Sequence, residues 1–151
     1  MTELHVAFRV GDATYVLPAN AVVQMESFSG ATHVPGAPSH VAGLVQVRGA
    51  IIPVVDLRVR FRLPPVEHTL DTRLVVVERD QRRVALLVDS ARDILKIDPA
   101  AFEPPPEVVT AQSAGFVQSV ARIDSGLVML IDCDRVIGKE ELHGQHDTQH
   151  G

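Results

Sequence analysis

The chain has 151 residues, 46% of them hydrophobic and 22% charged, with a formal net charge of −5 at pH 7. Those proportions fit one compact unit with one or two small cores and exclude wholesale disorder. The acidic balance counts against a general nucleic-acid binder, and no apolar run approaches the roughly 20 residues of a membrane span.

Met1 to His5 lacks the charged-then-apolar pattern of a secretory leader. Strands are predicted at Leu4–Val10 and Ala13–Leu17, separated by Gly11-Asp12, and at Ala21–Phe28. Val34 to Pro38, between His33 and His40, reads as a loop. The segment Gly43 to Leu57 is the most informative. Leu44, Gln46 and Arg48 should alternate with Val45 and Val47 on opposite faces. Gly49-Ala50 fits a two-residue turn with glycine at its first central position, and Ile51–Val55 forms the return strand. Arg48 then stands beside the turn on the exposed face. Pro53 lacks an N–H and is expected at an edge or a bulge.

Leu74–Glu78 and Arg83–Val88 flank a polar turn, Arg79 to Arg82, and Ala91–Ile97 is a further short strand. Asp98 to Glu107 is too proline-rich for a ladder and reads as a stiff connector. Phe116–Arg122 and Leu127–Ile131 flank Asp124 to Gly126. Three apolar runs end in aspartate, at Asp56, Asp89 and Asp132. Asp56 and Asp132 suit N-caps of short helical turns, and Gly138 suits the end of the second. Cys133 is the single cysteine and sits among apolar residues, so a buried thiol and a reducing, cytoplasmic setting are expected. From Glu140 the chain turns polar and carries His143, His146 and His150. Residues 1–139 therefore read as the domain and 140–151 as a disordered tail.

Many short antiparallel strands without a long amphipathic helix indicate an all-β fold, a barrel or pair of barrels, with helix confined to short turns. A hydrolase would need a nucleophile, a base and an orienting acid, and Ser27, Ser39 and Ser90 lie in no nucleophile-elbow pattern. No phosphate-cradling loop or zinc spacing is present. No enzyme, metal or cofactor is expected. The basic cluster Arg58, Arg60 and Arg62 after Arg48 has only Phe61 interleaved, too few aromatics for a nucleic-acid stacking platform. It keeps open a second reading, a small β-barrel module for another peptide or a nucleic acid.

Taken in order, Phe8 to Gly11 with Tyr15 to Pro18, Val22 to Met25, Val34 to Pro38, Gly43 to Gly49 with Ile52 to Arg58, Leu86 to Asp89 and Met129 to Asp132 resemble the CheW-like adaptor family of bacterial chemosensory systems. The resemblance implies two small five-stranded SH3-like β-barrels packed together and no catalytic activity. It implies partners: the regulatory domain of a CheA-type histidine kinase, the cytoplasmic tip of a methyl-accepting chemoreceptor lying along the groove between the barrels, and other CheW-like proteins in rings. It places the protein in the cytoplasm at receptor arrays, with no nucleic acid and no membrane insertion. Arg48 matches the family's arginine at its receptor- and kinase-facing surface. Val22, Leu74 and Val75 match apolar positions associated with partner contact, and Gly43 a sensitive glycine. Gln24 stands where glutamate is common, and Ala85 and Ser119 stand where glycine is frequent. These departures suggest a divergent, non-flagellar pathway.

Overall fold

A computed structural model describes residues 1–112 and 115–138. Eleven strands form in chain order among them: β1 (Glu3–Val10), β2 (Ala13–Pro18), β3 (Val22–Ser27), β4 (Val41–Val47), β5 (Ala50–Asp56), β6 (Arg73–Arg79), β7 (Arg82–Val88), β8 (Ser90–Ile97), β9 (Phe102–Glu103), β10 (Val117–Ile123) and β11 (Gly126–Ile131). Three short helices follow the expectation of brief turns: α1 (Leu57–Arg60), α2 (Glu107–Gln112) and α3 (Cys133–Ile137). The tail expected at 140–151 lies outside the described residues.

The strands pair as two sheets. The first is ordered β8-β1-β2-β11-β10-β9 and the second β3-β6-β7-β5-β4. Each contains one parallel pairing, β11 on β2 through Met129 and Tyr15, and β5 on β7 through Val54 and Ala85. In both cases the strand runs directly into a helical turn capped by its terminal aspartate. Asp56 accepts from the N–H of Arg58 at 2.9 Å and Asp132 from that of Arg135 at 3.2 Å. Such caps satisfy donors that a one-turn helix leaves orphaned. Gly138 ends α3 in the left-handed region (φ 68°).

Three apolar clusters hold the fold. One lies inside the second sheet, around Val47, Ile52, Val54, Leu74, Val76, Ala85 and Leu87. One lies inside the first, around Ala7, Val16, Ile97, Ala121 and Val128. The largest spans both sheets, with Phe8, Val10 and Leu17 on one side, Val55, Val75, Val77 and Leu86 on the other, and Cys133, Val136 and Ile137 of α3 between. Burying this much aliphatic surface is the main stabilising term.

The details differ from the sequence reading in three places. The β4–β5 register pairs Val47 with Ala50, so the turn residues are Arg48 and Gly49, both at positive φ (50° and 84°). This is a type I′ arrangement, whose twist matches the flanking strands. Arg48 therefore occupies the tip rather than the position beside it, and Ala50 belongs to the strand. Pro53 lies neither in an edge strand nor at a bulge of its own strand. β5 is interior, but its ladder with β7 starts at Val54, so Pro53 falls where no donor is required. The proline-rich connector carries two residues of β9, paired with Val120 and Ala121 of β10. It then leads into α2, with the Val109 N–H donating to the Pro106 carbonyl at 2.9 Å. Proline is compatible with a helix start, where its missing N–H would be orphaned anyway.

Candidate partner-binding surface

The site grows from the β4–β5 hairpin. Arg48 is exposed at its tip and makes no hydrogen bond or ion pair with any described residue. Gln46 is exposed one pair below it, opposite Ile51, which is 73% exposed. The hairpin end thus presents a guanidinium beside an uncovered aliphatic side chain. Ile51 escaped the sequence reading, although its place in a period-2 pattern opposite Gln46 already put it on the outer face.

Gly43 explains how this hairpin is anchored. Its φ is +146°, and a Cβ added there would meet the backbone of Thr32, with the carbonyl carbon only 2.8 Å away. That close approach exists because Thr32 and Leu44 exchange backbone hydrogen bonds, each 2.8 Å. The loop before β4 is therefore laced onto it, and glycine is the residue that permits the contact. Next to this bridge a groove of about 480 Å³ runs between the edges of β3 and β4, lined by Glu26 to Thr32, Leu44 to Val47, and Leu74.

The other expected contact residues divide. Val22 is half-buried on edge strand β3 and packs against the inter-sheet core. Gln24, two residues on at a β-bulge, is half-buried too, and its amide nitrogen has no hydrogen-bond partner among the described residues. No hydrogen bond joins Gln24 to Arg48. Val23 and Met25 alternate with them and are 40% and 38% exposed. Leu74 and Val75 are core residues, 2% and 0% exposed on opposite faces of β6. Val75 is sealed in the inter-sheet core, and Leu74 shows only a sliver at the floor of the groove. Ala85 is likewise fully buried, so its methyl packs inside the second sheet and adds nothing to a surface. Ser119 is half-buried at a bulge opposite Leu130.

The basic cluster is largely consumed by the protein itself. Arg58 donates through Nε to Asp89 Oδ1 at 2.9 Å and through Nη2 to Oδ2 at 2.8 Å, a bidentate pair. The Gly11 N–H also donates to Asp89, at 2.8 Å. Burial alone would raise the Asp89 carboxyl, but the hydrogen bonds from Arg58 and Gly11 and the charges of Arg58 and His68 outweigh it and hold it below the usual carboxylate range. Arg60 donates to the Val136 and Arg135 carbonyls at 2.9 and 3.0 Å and lies over the Phe116 ring. Phe61 is wedged between Tyr15 and Phe116. These groups bind the two sheets together. Cys133 is buried, and burial pushes its thiol up to about 11.

Two packed β-sheets that present a charged hairpin tip beside a mostly polar groove define a β-scaffold whose exposed features suit surface recognition. Comparison with known proteins agrees. The CheW-like domain family matches residues 5–141. The chemotaxis protein CheW of Rhizobium meliloti (strain 1021) is 32% identical over 136 residues, covering 90% of this chain and 88% of that protein. That of Bacillus subtilis (strain 168) is 29% identical over 138 residues, covering 91% and 88%. The crystal structure of the scaffolding protein TtCheW from Thermoanaerobacter tengcongensis superposes with a TM-score of 0.80 at 30% identity, covering 87% of this chain and 90% of that one. The chain belongs to the CheW-like family.

Proposed function

We propose that this protein is a non-enzymatic adaptor of a chemosensory system, working in the cytoplasm, that couples the tips of chemoreceptors to the regulatory domain of a CheA-type histidine kinase. Family membership supports the class, and one observation carries the site. An arginine occupies the first central position of a type I′ turn, where asparagine or glycine would be less strained, and its guanidinium is left exposed and unbonded. A side chain held so is available for bidentate contact with a carboxylate or carbonyl-rich helix tip. Ile51, Val22, Val23 and Met25 supply apolar contact area on the same sheet. Gly43, Leu74 and Val75 act behind the surface by fixing its shape.

Calorimetric titration against the kinase regulatory domain and the receptor tip from the same genome tests this. Arg48→Asn retains the turn and removes the guanidinium. It should weaken at least one of the two affinities by about tenfold, equivalent to roughly 1.4 kcal/mol, with thermal stability unchanged or slightly raised. Unaltered affinity for both partners would remove Arg48 from the interface.

A further inference from the structure

Three arginines, all issued from the second-sheet half of the molecule, reach α3 of the first-sheet half or Asp89, the residue that joins β7 to β8 and is itself bonded to the β1–β2 hairpin. Arg58, in the turn after β5, holds Asp89, which in turn accepts from Gly11 in the β1–β2 turn. Arg60, on the same turn, grips the carbonyls of Arg135 and Val136 at the end of α3, which follows β11. Arg79, at the end of β6, forms a second bidentate pair with Asp134 at the start of α3, both bonds 3.0 Å. The short helix is thus held near both ends. Between these contacts runs a file of rings, Phe8, Tyr15, Phe61 and Phe116, with successive centroids 6.0, 5.1 and 5.7 Å apart.

We infer that Arg58, Arg60 and Arg79 are positioning residues that set the angle between the two sheets, and with it the shape of any surface to which both sheets contribute. The apolar inter-sheet core resists separation but is non-directional, and aliphatic faces can slide or rock against each other. Bidentate guanidinium–carboxylate pairs are directional and fix register. Two such pairs, with the Arg60 bonds to the α3 carbonyls as a third link at a separate point, constrain rotation in a way that no single one could. The assignment concerns geometry and not contact with partners. Its consequence for binding rests on the adaptor reading proposed above.

The test uses two nitroxide labels, at Ser27 and Lys96, exposed positions on different sheets, and pulsed electron paramagnetic resonance distances in the partner-free protein. The native thiol at Cys133 is buried and does not compete for label. Arg58→Lys/Arg79→Gln should broaden or displace the distance distribution. Asp134→Arg should do so alone, and Arg79→Asp/Asp134→Arg, which restores opposite charges at this exposed pair, should recover the native distribution. The same loosened variants should lose about fivefold or more in affinity for a receptor tip seated between the sheets, while a kinase domain docked on one sheet stays within about twofold. A distribution unchanged in all variants overturns the joint. So does an equal loss of both affinities with a native distribution, which marks a merely structural effect. If the distances move as expected but the unsubstituted protein binds neither partner, the joint stands and the adaptor reading falls.

Discussion

Gly43 and Asp89 show how single residues set the surface from behind. At Gly43 the requirement is twofold, a positive φ and space filled by the Thr32 backbone, so neither can be relieved by moving a flexible side chain. Gly43→Ala should cost more than about 2 kcal/mol in chemical denaturation, whereas exposed substitutions nearby should stay within about 0.5 kcal/mol. Equal, small effects at both would show that the Thr32–Leu44 bridge can open without penalty. For Asp89 the folded carboxyl lies below its ordinary value of 3.8. Its contribution is therefore complete above that value and is lost as pH falls through the lower, folded pKa. Asp89→Asn should lower stability at neutral pH by about 1 kcal/mol and flatten its decline below about pH 4. An unchanged acid limb would place the titration elsewhere. Arg48 was legible as a surface arginine at a hairpin, but its tip position was not, because Arg48-Gly49 and Gly49-Ala50 are both plausible turns from residue type alone. Register decided between them.

At the level of elements, the strands that alternate cleanly or are flanked by glycine and aspartate were readable to within a residue or two, as in β1, β7 and β11. β9 was not. Its two residues pair only because the connector happens to pass beside β10, a tertiary event with no local signature. Leu74 and Val75 show the complementary gap. Four consecutive apolar residues, Leu74 to Val77, are buried on both faces because β6 lies between the inter-sheet core and the second-sheet core. An apolar residue in such a run looks the same in sequence whether it faces a core or a partner. The helical turns after Asp56 and Asp132, by contrast, follow from a capping chemistry confined to three or four residues, which is why they could be placed.

For the whole molecule, the decisive feature is the cluster shared between the sheets, to which Phe8, Leu17, Val55, Val75, Leu86 and Val136 all contribute. Neither sheet can bury its inner face without the other. Unfolding should therefore be a single transition, coincident when followed by far-ultraviolet circular dichroism and by the exposure of Cys133 to a thiol reagent. Two separated transitions would mean that the sheets are independent units. The joint of Arg58, Arg60 and Arg79 could not be seen in sequence, since its partners, Asp89, Asp134 and the carbonyls of Arg135 and Val136, lie far along the chain. Only the closure of the fold brings them into reach.

The first sheet is assembled from the two ends of the described chain, with β1 and β2 at the start and β8 to β11 near the close, while β3 to β7 lie between. On the ribosome this ordering has a temporal meaning. Residues Val6 to Leu17 emerge long before Met129 and Leu130, the residues that Tyr15 and Val16 pair with. The second sheet can zip its own strands meanwhile and cover Phe8, Val10 and Leu17 of the hairpin, but the opposite face, with Ala7 and Val16, waits for Ala121 and Val128. That face is made well before the strands that cover it, and during the interval it is the surface most in need of a chaperone.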